Sequence, residues 1–241
     1  MHAHATFYRR VEDALATPDL PEKMERATSR LVAARHAAFA AFTDGEHVRD
    51  RARAIRADVI ANLDRYLERF ATAAESRGGR VHWAETGADA VRIVQEIART
   101  GGVGTAVKSK SMVSEEIDLN AALESAGVRV VETDLGEWIV QLARDHPSHI
   151  IAPIIHKSGE DIARVMRERL GASAEDTRDP AAMAALARRM LRAEFLRADM
   201  GISGSNFGVA ETGSLCLVTN EGNGRLTTTV PRIHVALMGI E

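Results

Sequence analysis

The sequence predicts an α/β fold: a three-layer arrangement in which helices cover both faces of a mostly parallel sheet, preceded by an N-terminal helical extension. Three observations predict it. From Val81 onward, short β-type runs alternate with amphipathic stretches, as strands joined by crossover helices require. Before Gly79 that alternation is missing, and apolar residues recur at three- and four-residue steps. The helical stretches also open and close on recognisable signals, such as Asp179-Pro180 at a start and Leu170-Gly171 at an end. The division falls at residue 79, giving an extension over 1–79 and an α/β domain over 80–241.

Within the extension, residues 20–42 are alanine-rich and read as a helix or a helix pair. From Val48, the positions Ala52, Ile55, Val59, Leu63, Tyr66, Phe70 and Ala74 form one stripe. That stripe predicts a single helix ending at Gly78-Gly79. Strands are expected at 81–84, 103–107, 128–132 and 149–152, the last closed by Pro153. Thr86 and Asp89 offer a capping box for a helix running through Ile97. Further helices are expected over 111–126 and around Trp138, Ile139 and Leu142. Ser158 and Asp161 cap the next one, and Asp179 opens a long helix reaching Ala198. Residues 215–219, 226–230 and 233–238 read as strands joined by short turns, an antiparallel or mixed extension of the sheet.

Composition excludes several functional classes. Hydrophobic residues make up 45% and aromatics 4%, so the core must rest on Ala, Val, Ile and Leu. Thirty-one basic residues face 34 acidic ones, without the one-sided basic excess of a nucleic-acid binder. The arginines at 49, 51, 53 and 56 alternate with acids and alanines, as on a solvated helix face. No run of about 18 apolar residues predicts a membrane span, and the first residues have no signal-peptide core. The single Cys216 excludes an internal disulfide and any iron–sulfur or metal site made of cysteines alone. It lies in an apolar run and reads as a buried small hydrophobe. The cytoplasm is the expected location. No histidine pair at metal-ligand spacing and no Gly-x-Ser-x-Gly elbow occurs, so neither a metal site nor a hydrolase triad is expected.

Chemistry is expected at the carboxyl ends of the strands, where parallel sheets bind ligands. Lys108, Ser109, Lys110 and Ser111 follow the strand at 103–107. Two lysines at a helix start oppose its dipole unless an anion offsets them, which suggests a small carboxylate or a phosphate-bearing ligand. Ser111 also serves as a helix cap. A second group follows the long helix: Gly204, Ser205, Asn206, Glu211, Thr212 and Gly213, where three glycines over 201–208 permit close approach of backbone to ligand. Glu211, at a turn entering a strand, is the best single candidate for an acid, a base or a carboxylate nucleophile. A third group is Asn220, Glu221, Asn223 and Arg225, for which a hairpin turn is an equally sufficient reading. His156 and Lys157 lie at the same sheet edge, as do Asp134 and Glu137.

Long ordered strings carry a resemblance: VKSKSMVSEEIDLN (107–120), VVETDLGEWIVQLA (130–143), HIIAPIIHKSGEDIA (149–163), the stretch from FLRADMGISGSNFG to EGNGRL (195–226) and PRIHVALMGIE (231–241). These resemble the LUD (lactate-utilization) domain, and within it the N-terminal part of the lactate-utilization protein B family. The resemblance implies a fold similar to the ribose-5-phosphate isomerase, glucosamine-6-phosphate deaminase and coenzyme A-transferase group. It also implies a subunit of an iron–sulfur-dependent system that oxidises L-lactate to pyruvate alongside sister subunits. Full-length members look like this domain followed by a ferredoxin-type region, so 4Fe-4S clusters are expected there or in a partner and none in this chain. The chain stops at Glu241 where the family continues, which implies an excised domain or reliance on a partner. On this reading Lys108, Lys110 or Arg225 pairs with an anion, and Glu211 or His156 handles a proton. Two other readings remain open: a coenzyme A-transferase-like enzyme using Glu211, and a non-catalytic docking module. The N-terminal helices then offer a surface for sister subunits or for a second copy.

Overall fold

A computed structural model describes residues 2–147, 152–219 and 221–240. Four helices come first: α1 (His2–Leu15), α2 (Leu20–Ala40), α3 (Gly45–Ala61) and α4 (Leu63–Glu75). The expected single helix after Val48 is therefore two. At Asn62 the backbone leaves the helical region (φ −129, ψ 36), and the Asn62 side chain bonds back to the Asp58 carbonyl at 2.9 Å. An asparagine that engages its own preceding turn competes with the helix ladder at that point.

The α/β body then runs α5 (Gly87–Thr100), β1 (Thr105–Lys108), α6 (Met112–Glu116), α7 (Leu119–Ser125), β2 (Arg129–Glu132), α8 (Leu135–Ala143), α9 (Gly159–Leu170) and α10 (Pro180–Arg197). It continues through β3 (Met200–Gly204), β4 (Phe207–Val209), β5 (Ser214–Cys216), α11 (Asn223–Thr229) and β6 (Ile233–Leu237). The main sheet has the order β2-β1-β3-β6, and every neighbouring pair in it is parallel. Side chains alternate across it. Ala106, Val130, Met200 and Ile202 pack with Val94 and Ala98 of α5 and Leu119 and Leu123 of α7. Val107 and Val131 face the opposite layer, with Trp138 and Ile139 of α8, Met166 of α9 and Leu186, Leu191 and Phe195 of α10. Each large aliphatic side chain buried this way contributes about 1.5–3 kcal/mol.

The local signals explain most boundaries. Thr86, Ser111, Asp134, Ser158 and Asp179 each cap their helices with a side-chain oxygen, and Ser158 with Asp161 completes a capping box. Gly171 ends α9 in the left-handed region at φ 66. Several expectations fail, each for a local reason. The helix expected over 111–126 is split into α6 and α7, because Asp118 turns left-handed at φ 50. Residues 81–84 form no strand: Trp83 is exposed and the segment offers no face to bury. The strand expected at 149–152 falls mostly on residues outside those described.

The C-terminal part differs most. Residues 200–204, expected in a glycine-rich loop, are the inner strand β3. Of residues 226–230, expected as a strand, 226–229 belong to α11 instead, and Asn223-Gly224 opens that helix in place of a hairpin turn. Among the described residues only β4 and β5 pair antiparallel, and they form a separate two-stranded ribbon packed on α4 at Phe70 and Ala74. One face of that ribbon meets α4. Leu215 and Leu217 are half-buried while Cys216 and Val218 alternate outward, so Cys216 is exposed rather than buried.

Candidate functional site

The carboxyl ends of β1, β2 and β3 meet the N-termini of α6 and α8 and the start of α11. Backbone bonds fix this rim. Ser109 N donates to the Ile202 carbonyl at 2.9 Å, while Thr133 N and Thr133 Oγ1 donate to the Lys108 carbonyl at 2.9 and 2.8 Å. Gly204 lies so close to Ser111 that an added Cβ would sit 3.2 Å from Ser111 Oγ. Asn223, at the start of α11, donates from Nδ2 to Thr133 Oγ1 at 3.4 Å.

The parallel register places Lys108 beside Glu132, both facing the α6–α7 layer. Lys108 is fully buried, and its Nζ reaches Glu132 Oε1 at 2.9 Å and Ser114 Oγ at 3.0 Å. Asn120 of α7 donates to the same Glu132 oxygen at 2.6 Å. Among the described residues Glu132 Oε2 and Asn120 Oδ1 have no partner. Burial pushes the Glu132 carboxyl above its ordinary range, against the pull of Lys108 and Asn120.

Lys110 projects from the next turn. Its Nζ bonds buried Glu137 Oε1 at 2.6 Å, and its side chain keeps 24% of its exposure. Glu115 of α6 retains solvent access, yet partial desolvation and the Glu137 charge push its carboxyl up. Glu221 accepts from the Leu135 amide at 3.2 Å, at the start of α8. Its carboxyl is also raised, first by desolvation and then by Asp134, against the Leu135 amide and the Lys110 charge. The two lysines are thus offset by the chain's own Glu132 and Glu137. Two lysines and the carboxylates of 115, 132, 134, 137 and 221 share the rim, which makes it acidic on balance and not the cationic cradle that the sequence suggested.

Other expected residues take separate positions. Ser205 Oγ donates to the Phe207 carbonyl at 3.0 Å, and Val218 N donates to Asn206 Oδ1 at 2.8 Å. Thr212 Oγ1 donates to Ser214 Oγ at 2.9 Å. These bonds hold the β4–β5 ribbon, whose turn puts Gly213 (φ +63) against the backbone of Ala73 and Ala74. Glu211 is exposed at that turn and pairs with Arg69 of α4 at 3.3 Å, not with the group around Lys108. Arg225 is exposed on α11, and Asn220 lies outside the described residues. Two grooves of 550 and 620 Å³ run along α5, sharing Arg92 and Gln95, and neither borders the rim.

His156 and Lys157 converge on Asp145, at 3.3 and 2.6 Å. Burial alone would raise the Asp145 carboxyl, but hydrogen bonds from Lys157, the His146 amide and His156 outweigh it and bring it to about 2. A depressed folded-state value means this contact stabilises the fold above the unfolded carboxylate range and loses that effect as pH falls through about 2. A carboxyl ¹³C titration is expected to give Asp145 a midpoint near 2, and Lys157→Ala is expected to move it up towards about 4. An unchanged midpoint in the variant would remove Lys157 as a cause.

Sequence reasoning missed Glu132, Asn120, Thr133 and Glu115. Glu132 was detectable in principle, as the last residue of the strand neighbouring the one that ends in Lys108. Among the described residues no three His, Cys, Asp or Glu side chains are grouped to hold a metal ion. A 4Fe-4S cluster takes four cysteine thiolates, and the one exposed Cys216 does not fit that requirement. Among the described residues no helix is long and apolar enough to cross a membrane.

Comparison with known proteins follows the body of the fold. The family model described as the LUD domain matches residues 67–241. The chain is 44% identical over 239 residues to the "Uncharacterized electron transport protein YkgF" of Escherichia coli K12, covering 99% of this chain and 50% of that protein. It is 45% identical over 236 residues to "Lactate utilization protein B" of Bacillus licheniformis, covering 98% and 49%. A protein of the same name from Shouchella clausii is 42% identical over 238 residues, covering 98% and 50%. The chain thus spans about half the length of these relatives. No solved structure matches it.

Proposed function

This chain belongs to the LUD domain family, and from that premise we propose that it works in lactate utilization, as the binding module of an iron–sulfur-dependent system oxidising L-lactate to pyruvate. The relatives named lactate utilization protein B support this reading. Its partners are sister lactate-utilization subunits, and its place is the cytoplasm, where a lone unpaired cysteine is stable.

The observation that carries the reading is the pairing of Lys110 with Glu137. Lys108 is locked in a buried network, whereas Lys110 keeps solvent access beside its partner. A small carboxylate arriving at the rim meets the Lys110 ammonium and competes with Glu137 for it. Glu115, with its carboxyl raised, is a stronger base than a free glutamate and suits acceptance of the lactate hydroxyl proton. The oxidation releases two electrons and two protons. Glu115 takes the hydroxyl proton; no side chain of this chain is a suitable electron acceptor, so an iron–sulfur component outside it would take the two electrons, and the C2 proton would pass to solvent. This chain's own part is binding and proton handling.

The test uses the complete system with its sister subunits and a dye as terminal acceptor. Lys110→Ala is expected to lower kcat/KM for L-lactate by about 10- to 100-fold, the loss of one charge-assisted contact. Because buried Glu137 loses its cation, the variant is expected to melt lower, so the rate is read at a temperature where the complex stays assembled. An unchanged rate in a correctly assembled complex overturns the reading.

A further inference from the structure

We propose that α2 and α3 form the interface of a homodimer, each arm packing against the same arm of a second copy. No residue of either helix is buried, although they run for 21 and 17 residues. Leu31, Val32, Phe39, Phe42, Ile55 and Ile60 all stand exposed. In proteins most helical stability comes from packing an apolar face and not from propensity, and neither helix has such packing here. Lys23, 3.6 Å from Asp161, ties the first turns of α2 to α9, and the apolar positions lie beyond that anchor.

Surface area sets the scale of the missing contact. A compact chain of 26.1 kDa exposes about 10,600 Å². This chain exposes 16016 Å². Permanent dimer interfaces bury about 2,000–5,000 Å² in total, so half of the surplus from each copy is sufficient.

Charge and shape favour a second copy as the occupant. Residues 1–61 carry ten basic and nine acidic side chains, so two arms meet without net repulsion. Apart from Phe42, which lies between them, these exposed apolar positions fall on two consecutive helices, and a twofold axis brings four such helices into one bundle. The alanines at 33, 34, 37 and 38 of α2 allow close approach of neighbouring helices.

Light scattering on the 241-residue chain, with no other subunit, reads the outcome directly. Between about 1 and 100 μM, a range set by ordinary permanent interfaces, the expected mass is twice 26.1 kDa. The double variant Phe39→Glu, Ile55→Glu is expected to run at 26.1 kDa with the near-ultraviolet signal of buried Trp138 intact. Hydrogen exchange on the unmodified chain covers the case in which that variant fails to fold. Amides over 31–60 are expected to lose protection on dilution. A monomer throughout the range, a dimer that survives both substitutions, or dilution-sensitive protection confined to other segments each overturns the proposal. None of these measurements depends on lactate chemistry.

Discussion

Lys108→Met is expected to destabilise the protein by about 3–5 kcal/mol, because it leaves Glu132 buried without its cation. The methionine fills most of the volume, so the cost comes from charge and not from a cavity. Glu132 already titrates above its ordinary range through burial, and losing Lys108 pushes it further up. The sign follows from linkage. A carboxyl whose folded value is raised keeps its full stability contribution below the unfolded value, about 4.3, and loses it as pH rises through the folded value. The variant's deficit is therefore expected to be small at pH 4 and to grow towards pH 8. Adding Glu132→Leu removes the stranded charge and is expected to recover most of the loss, since a buried ion pair often exchanges for apolar residues at little net cost. Urea denaturation of the two single variants and the double variant, at acid and neutral pH, measures both terms as a coupling energy. Additive losses in the double variant would mean that Lys108 and Glu132 do not act as a pair.

That pair also explains what could be read from the sequence and what could not. Helices α5, α9 and α10 were legible because their signals are local. A threonine, serine or aspartate caps each start, and a glycine or a periodic apolar face marks the extent. Strands β1 and β2 were legible as apolar runs between them. Lys108 and Lys110 were found as a cationic turn and Glu137 was placed at the same sheet edge, but Glu132 and both pairings were not found. Glu132 becomes a partner only through the β1–β2 register, and Glu137 only through the placement of α8, and neither relation is written within one segment.

The C-terminal misreadings share one cause. The run Leu226-Thr-Thr-Thr-Val230 favours a strand by its β-branched residues, yet α11 buries Thr227 over β3 and Pro231 follows the helix. The glycines of 201–204 suggested a loop, but at Gly201 the absent side chain is what lets α11 lie on the sheet. Asn62 misled in the opposite direction. The apolar stripe continues across it without a gap, while the backbone breaks there. Local propensity lost to tertiary packing at the first two places, and periodicity lost to one side-chain hydrogen bond at the third.

Gly201→Ala is the complementary test of the rim. Its Cβ would fall on the Thr227 carbonyl oxygen, far inside contact distance, and 2.9 Å from the carbonyl carbon. Both are backbone atoms, so no side-chain rotation relieves the clash. β3 cannot retreat, because it is hydrogen-bonded to β1 on one side and β6 on the other. The helix α11 must move instead, at a cost of about 1–3 kcal/mol or more. Asn223 then leaves Thr133 and Glu221 leaves the Leu135 amide, since the first lies in α11 and the second just before it. Gly159→Ala is the control: nothing lies within 4 Å of its added Cβ, at the first position of α9, and it is expected to be neutral or stabilising by about 0.4–1 kcal/mol. If urea midpoints for the two variants coincide, the close approach of α11 to β3 is not what organises this end of the sheet. If only Gly201→Ala loses stability, and the Asn223 side-chain amide resonances shift with it, then the packing of α11 on one glycine holds the third side of the lysine–carboxylate rim.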